Sequence, residues 1–177
     1  MTIHEFLNSP RIQQALADQR ERRARYKEVD TGHVERGDVR TVPDPRDPTD
    51  IRHLCVLRVW NGVALCALTD MDEVFAAKGD ILVRGYSTHS SVPYDLVLDG
   101  IYHFDLPVSA LGGLVGRISL EVIYELLIKE VTALPEEMST FSHISGPLDI
   151  RWKRKMLQIS LMRALETSHR VTERRYQ

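Results

Sequence analysis

Residues Arg52–Thr69, RHLCVLRVWNGVALCALT, decide the fold, because two apolar runs flank the dipeptide Asn61-Gly62. This dipeptide is typical of a two-residue hairpin turn, since both turn positions need a positive φ, which Asn and Gly tolerate best. Neither arm alternates cleanly between apolar and polar residues, so both arms are expected to be buried on much of both faces. The stretch therefore predicts a hairpin at the middle of a small β-barrel.

The same hairpin carries the two cysteines of the chain, Cys55 on the first arm and Cys66 on the second. Counting outward from the turn places Cys55 opposite Leu68 and Cys66 opposite Leu57. The two thiols are then not directly opposed, and we predict buried thiols rather than a disulfide. No Cys/His spacing predicts a zinc site, and we expect neither a metal nor a cofactor.

The size and composition of the chain fit one domain with extensions. Its 177 residues exceed the roughly 100–150 residues of a common domain, and the apolar share of 43% suffices for a packed core. No apolar run approaches the roughly 20 residues of a membrane span. The start, MTIHEFLNSP, lacks the basic and apolar segments of a secretory signal. We therefore expect a cytoplasmic protein without a membrane partner.

The net charge of −2 is unevenly distributed along the chain. Residues 1–40 contain 8 basic and 7 acidic side chains, residues 41–147 contain 7 and 15, and residues 148–177 contain 8 and 3, which gives +1, −8 and +5. The acidic middle is a poor platform for nucleic acid, and the basic tail can supply the positive charge that it lacks.

Capping and turn signals predict further elements around the central hairpin. These are a helix over 10–27, a first strand over 34–42, an extended Pro/Asp loop over 43–50, a short helix over 70–77, a strand over 81–84, and a second hairpin with strands 94–98 and 101–108 around Asp99-Gly100. The first helix carries a basic cluster, which is either a solvated face or a surface for an anionic partner: Arg20, Arg22, Arg23 and Arg25.

Two amphipathic helices are predicted after a glycine-rich stretch, residues 111–117, with which the β region is expected to end. This stretch lacks the Lys-Ser ending of a phosphate-binding loop, so it does not predict nucleotide binding. The helix over 120–131 is expected to pack on the core through Leu120, Ile123, Tyr124, Leu127, Ile128 and Val131. A final helix over 148–170 must dock on the barrel, a second subunit or another protein through Trp152, Met156, Ile159, Met162 and Leu165.

Five short motifs within residues 35–131 occur in the same order in one known family. Arg36-Gly37-Asp38-Val39 is similar to the RGDV that opens the first strand of its members, and Arg52–Leu57 lies where they carry RPVLVL. Ala67-Leu68-Thr69 lies where they carry PLT, Gly100–Asp105 resembles their R-x-D segment, and Leu114–Ser119 resembles their LGRLS. By these motifs the chain resembles the MazF/PemK (Kid) toxins, which share an SH3-like barrel with the CcdB gyrase poisons.

The resemblance implies an α+β fold with a mainly β core, a small SH3-like barrel of the MazF/PemK/CcdB type with a closing helix. It predicts a toxin-like barrel with that helix over residues 32–133. The N-terminal helical arm, 1–31, and the C-terminal helical extension, 134–177, are additions to it. The resemblance also implies a homodimer and an antitoxin as a partner.

The chemistry that the resemblance implies is metal-independent cleavage of single-stranded RNA by attack of the 2′-hydroxyl on the adjacent phosphate. Carried over by position, Arg52 would stabilise the phosphate, Thr69 would orient it, Asp105 would be the base and His103 the acid. His103 and Asp105 are two residues apart on a strand and so project from one face. Histidine at 103 keeps a proton donor where the Kid branch has arginine, but it lacks arginine's fixed fork of donors.

Two growth-inhibiting functions and one structural alternative remain open on the sequence. The first is a growth-inhibiting RNA endonuclease of the MazF/PemK type, with single-stranded RNA as its substrate. The second is a toxin-fold protein without catalysis that inhibits growth by binding a host protein, for which the added helices would create an interface. A phage or another mobile element is a fitting source for either. An unrelated small barrel with a structural role is the third alternative, in which the four residues serve only as surface or capping groups.

Overall fold

The computed structural model describes residues 5, 8–26, 29, 32–76, 79–128 and 159–169 of the chain. They form an α+β fold in which three helices surround one antiparallel sheet. In chain order the elements are α1 (Pro10–Arg25), β1 (Asp38–Asp44), β2 (Asp47–Trp60), β3 (Val63–Asp70), a 3-10 turn (Glu73–Phe75), β4 (Ile81–Val83), β5 (Leu96–Pro107), a 3-10 turn (Val108–Ala110), β6 (Leu114–Arg117), α2 (120–128) and α3 (159–169).

The sheet is a curled half-barrel with the strand order β4-β5-β3-β2-β1-β6. The central hairpin is confirmed, since β2 and β3 occupy the two middle positions of this order. Asn61 and Gly62 form its turn with φ values of 50° and 75°, and Trp60 lies opposite Val63. The predicted burial of both faces also holds, because Leu54, Cys55, Val56 and Leu57 have no exposed surface.

The register of the hairpin differs from the prediction beyond the first pairs. Cys55 lies opposite Ala67 and Cys66 opposite Val56, because the pairing shifts between Val56 and Arg58. The extra residue is a bulge, which moves every later pair by one position. Both cysteines are nevertheless free and buried, as predicted. Burial raises the pKa of the Cys66 thiol to about 12, so it stays a packing group.

Both faces of the sheet are covered by helices. On one face, Cys55, Leu57 and Ala67 pack with Ile123 and Leu126 of α2. On the other face, the packed side chains are Val42, Leu54, Val56, Cys66, Leu68, Phe104 and Leu106 of the sheet with Leu161 and Leu165 of α3. The sheet is therefore the middle layer of the core, which explains why its central strands do not alternate.

The helix after β6 is confirmed over 120–128, but its buried side was predicted only in part. Val122, Ile123 and Leu126 are buried, whereas the exposed fractions of Leu120, Tyr124 and Ile128 are 51%, 48% and 64%. The apolar stripe is wider than the contact with the sheet, and the contact lies at one side of it. Val131 lies outside the described residues.

The final helix is confirmed over 159–169, whereas Trp152 and Met156 lie outside the described residues. Of its predicted apolar side, Ile159 and Leu165 are buried. The three alternatives for its docking are resolved for this part of the helix, because Leu165 packs on the sheet.

The Pro/Asp segment was predicted to be an extended loop that cannot join a sheet interior, and the first strand to begin at residue 34, but neither the loop nor this start is correct. β1 runs over Asp38–Asp44 and β2 starts at Asp47, so the segment forms the end of the β1–β2 hairpin. Pro43 pairs with Ile51 in this hairpin. The pairing of β1 with β6 ends earlier, at Arg40, so the other edge of Pro43 is free. A strand whose edge is free tolerates proline, which lacks a backbone donor.

The second predicted hairpin is also wrong, because β5 continues through Asp99-Gly100. On β3, Ala67 pairs with His103 and Thr69 with Leu98, so residues 99–102 form a bulge in β5 instead of a turn. The Asp99 carboxylate accepts a hydrogen bond from the backbone N–H of Tyr102 at 3.0 Å. Glycine fits position 100 because an added Cβ would lie 1.9 Å from the backbone oxygen of Gly79.

The β region ends with the glycine-rich stretch, as predicted, and the second half of this stretch is itself a strand. Leu114–Arg117 forms β6, which pairs antiparallel with β1 at the sheet edge.

Among the helices in the described part of the chain, none is long and apolar enough to cross a membrane.

Candidate functional site

Thr69 lies near the end of β3 that is far from the hairpin turn, and Arg52 lies on the part of β2 that passes this end. Leu54 pairs with Leu68, so the residues beyond this pair face each other across the two strands. The Thr69 hydroxyl donates a hydrogen bond to the backbone carbonyl of His53 at 2.7 Å. Thr69 therefore lies beside the residue that follows Arg52, and its hydroxyl proton has a partner within the chain.

The Arg52 guanidinium lies between two carboxylates. Its Nε is 3.5 Å from Asp44 Oδ2 and 3.7 Å from Asp50 Oδ2. Burial, followed by the nearby charge of Arg23, lowers the pKa of Arg52, although the surrounding carboxylates act in the opposite direction. Two acidic neighbours offset the positive charge that a phosphate would need at this position.

The β1–β2 hairpin, which carries Asp44 and Asp50, also forms ion pairs with the basic cluster of α1. Arg20 pairs with Asp47 at 2.9 Å on the surface. Arg23 is buried, pairs with Asp50 at 3.0 Å and donates from Nε to the carbonyl of Ile51 at 2.9 Å. Neither alternative for the basic cluster describes these two arginines, because both pair with the β1–β2 hairpin of the same chain.

His53, which stands where the toxins carry proline, is buried beside Arg52. Its Nδ1 hydrogen-bonds to the Tyr94 hydroxyl, and the two rings stack with centroids 5.7 Å apart. Burial, followed by the charge of Arg23, lowers the pKa of His53 to about 3. The imidazole is therefore neutral at physiological pH and serves the packing beneath α1.

His103 and Asp105 lie in a different place, on β5 opposite Ala67 and Leu65. They line a cleft of about 470 Å³. The cleft also contains Glu166 and His169 of α3, which the sequence analysis did not single out. No local signal could have found these two residues, because they reach β5 only through the docking of a helix some 60 residues later in the chain.

The arrangement separates the four predicted residues into two pairs. Asp105 is exposed to solvent, and His103 Nε2 lies 2.8 Å from the carbonyl oxygen of Asp99. The Asp105 carboxylate can exchange protons with a molecule bound in the cleft, whereas His103 Nδ1 is buried and its Nε2 faces the Asp99 carbonyl. Arg52 and Thr69 form the other pair, near the β1–β2 hairpin. Arg52 pairs there with Asp44, and the Thr69 hydroxyl donates to a backbone carbonyl.

Two of the family-like motifs contact each other at the edge of the sheet. The Asp38 carboxylate of the RGDV-like motif accepts a hydrogen bond from Arg117 Nε of the LVGR segment at 3.0 Å. It also accepts from Arg40 Nη2 at 2.8 Å and from the backbone N–H of Glu35 at 3.0 Å. Asp38 and Arg40 are both buried, so these motifs serve the fold.

Within the described ranges, no group of three or more His, Cys, Asp or Glu side chains could hold a metal ion. Models of known protein families and curated proteins were compared with the chain, and neither comparison finds a match. The similarity to the MazF/PemK toxins consequently rests on the motifs and on a half-barrel that is compatible with a small barrel.

Proposed function

We propose that this chain is a growth-inhibiting protein with a MazF/PemK-type SH3-like barrel, and that it cleaves single-stranded RNA without a metal. The observation that supports cleavage is the exposed Asp105 carboxylate in a cleft that His103 also lines. The contact between Asp38 and Arg117 supports the fold, since it joins two motifs that resemble those of the family.

In the proposed reaction, Asp105 accepts the proton of the ribose 2′-hydroxyl as its oxygen attacks the adjacent phosphorus. His103 gives a proton to the 5′-oxygen, which leaves as the bond between phosphorus and that oxygen breaks. The products are a 2′,3′-cyclic phosphate and a free 5′-hydroxyl. Acid–base catalysis of this kind contributes about 10²–10⁴-fold to a rate.

A second function, growth inhibition by binding a host protein, is favoured by the surroundings of Arg52. This arginine was predicted to stabilise the phosphate, but it lies within 3.7 Å of both Asp44 and Asp50. The net charge of −8 over residues 41–147 also disfavours RNA. Under this proposal the outer helices form the interface and the cleft has no catalytic role.

One set of variants distinguishes the two functions. Asp105→Asn removes the proposed base at an exposed position, and Asp95→Asn is the matched control at another exposed carboxylate. If the protein cleaves RNA, Asp105→Asn should reduce cleavage of single-stranded RNA by at least about 100-fold and relieve growth inhibition on overexpression, whereas Asp95→Asn should do neither. Growth inhibition that survives Asp105→Asn with intact RNA supports host-protein binding. Normal growth with the unaltered protein contradicts both.

The remaining features of the proposal concern its cellular setting. A homodimer, a cognate antitoxin and a cytoplasmic location are what the resemblance implies for this proposal. Sedimentation at micromolar concentration should give twice the mass of the 20.3 kDa chain. A monomeric mass would contradict the dimer without affecting the cleavage assay.

A further inference from the structure

The sheet face that carries Asp105 also carries an arginine two strands away. Arg58 on β2 lies opposite Leu65 on β3, and Leu65 lies opposite Asp105 on β5. Directly opposed residues project from the same face, and neighbouring strands are about 5 Å apart, so the Cα atoms of Arg58 and Asp105 are about 10 Å apart. Arg58 is exposed, and no hydrogen bond or ion pair joins it to another residue in the described part of the chain.

The next row of the same face presents an aromatic ring. Trp60 lies opposite Val63, and Val63 lies opposite Pro107. The exposed fractions of Trp60 and Val63 are 73% and 37%. Val63 and Pro107 line the cleft that contains Asp105, so Trp60 belongs to a row of paired residues that leads across the sheet to that cleft. A tryptophan exposed to this extent at a hairpin tip contributes nothing to the core.

We propose that Arg58 and Trp60 form the RNA-binding surface beside the cleft, with Arg58 on a phosphate and Trp60 stacked on an unpaired base. This inference rests on the proposed RNA cleavage and names the groups that would hold its substrate. Unpaired bases stack on exposed aromatic side chains, whereas paired bases in a duplex do not offer their faces. The apolar surface of Val63 and Pro107 then lies under the nucleotide between the two contacts.

Arg58 also supplies the charge that the site otherwise lacks. The cleft contains two carboxylates, Asp105 and Glu166, which repel a phosphate. Arg52 is held between carboxylates of its own. Arg58 is a cation on the same face as Asp105, and its long side chain can reach a phosphate bound over Leu65.

The test is binding of a short single-stranded oligonucleotide of randomised sequence with 2′-O-methyl riboses, which lack the attacking hydroxyl. Fluorescence anisotropy of a labelled oligonucleotide would be measured over a range of salt concentrations. Trp60→Ala should weaken binding by about 10-fold, and Trp60→Phe should restore most of the loss because it retains a ring. Arg58→Ala should weaken binding and reduce the slope of log K against log salt by about 0.7.

Tyr86→Ala and Arg84→Ala are the matched controls, since both residues are exposed near β4 at the edge of the sheet. Both should bind the oligonucleotide as the unaltered protein does. If the unaltered protein binds and cleaves RNA but Trp60→Ala and Arg58→Ala behave like these controls, the inference is wrong and the proposed function stands. If the unaltered protein neither binds the oligonucleotide nor cleaves RNA, the proposed function is wrong and the inference with it.

Discussion

Asp38 is fully buried, and its carboxylate is the partner of the equally buried Arg40. A buried ion pair contributes little compared with apolar packing, but removal of one charge leaves the other without compensation. Asp38→Asn should therefore lower the free energy of unfolding by about 3–5 kcal/mol in urea denaturation. Asp95→Asn, which removes an exposed partner of Arg84, should cost no more than about 1 kcal/mol. Similar losses in the two variants would contradict the structural role of Asp38.

His53 should make stability depend on pH. Burial lowers its pKa to about 3 in the folded state, whereas an unfolded histidine has a pKa of 6.5. Below pH 6.5 the unfolded state binds a proton that the folded state does not, so acid favours unfolding. The contribution of His53 to stability is complete above pH 6.5 and is lost as the pH falls towards 3.

The expected slope is about 1.4 kcal/mol per pH unit within that window. His53→Asn should remove this part of the slope, because asparagine can still hydrogen-bond near the Tyr94 hydroxyl but does not titrate. Urea denaturation of both proteins between pH 4 and pH 7 measures the difference. A slope unchanged by His53→Asn would show that the folded protein accepts the proton.

At the scale of elements, the sequence predicts what is decided locally. The prediction of a turn at Asn61-Gly62 is confirmed, since both residues adopt a positive φ, which they tolerate in any surroundings. The bulge at Leu57 has no local signal, and the predicted cysteine register is wrong for that reason. Asp99-Gly100 gives a turn signal that also fits a bulge, and the choice between them depends on how β3 pairs. Long-range pairing thus decides the elements that were predicted incorrectly.

The bulge in β5 leads to a prediction of its own. A Cβ added to Gly100 would lie 1.9 Å from the backbone oxygen of Gly79, so the backbone of one segment must move. Gly100→Ala should cost about 3 kcal/mol in unfolding free energy. A Cβ at Gly62 has open space, and Gly62→Ala should cost about 1 kcal/mol from its positive φ alone. Equal costs would mean that the strand relieves the contact without difficulty.

At the scale of the whole molecule, the docking of helices determines the candidate site. The sequence places His103 and Asp105 on one face of a strand. In the structure both residues lie on β5 and line one cleft. It does not give Glu166 or His169, which depend on where α3 packs. Nor does it give the pairing of α1 arginines with the β1–β2 hairpin, because charge patterns show the sign of a partner and not its position.

The predicted division into an N-terminal arm and a barrel can be tested through Arg23. This residue joins α1 to the β1–β2 hairpin by its ion pair with Asp50 and its hydrogen bond to Ile51. Arg23→Ala should destabilise the attachment by about 3 kcal/mol, because it leaves these acceptors without their buried donor. Native-state hydrogen exchange should then be about 100-fold faster for the amides of α1, and much less affected for those of β2 and β3. Arg20→Ala, which removes an exposed pair with Asp47, should change exchange in α1 by less than about 5-fold. Equal acceleration in helix and sheet after Arg23→Ala would show that arm and barrel open as one unit, and the predicted boundary near residue 31 would be wrong.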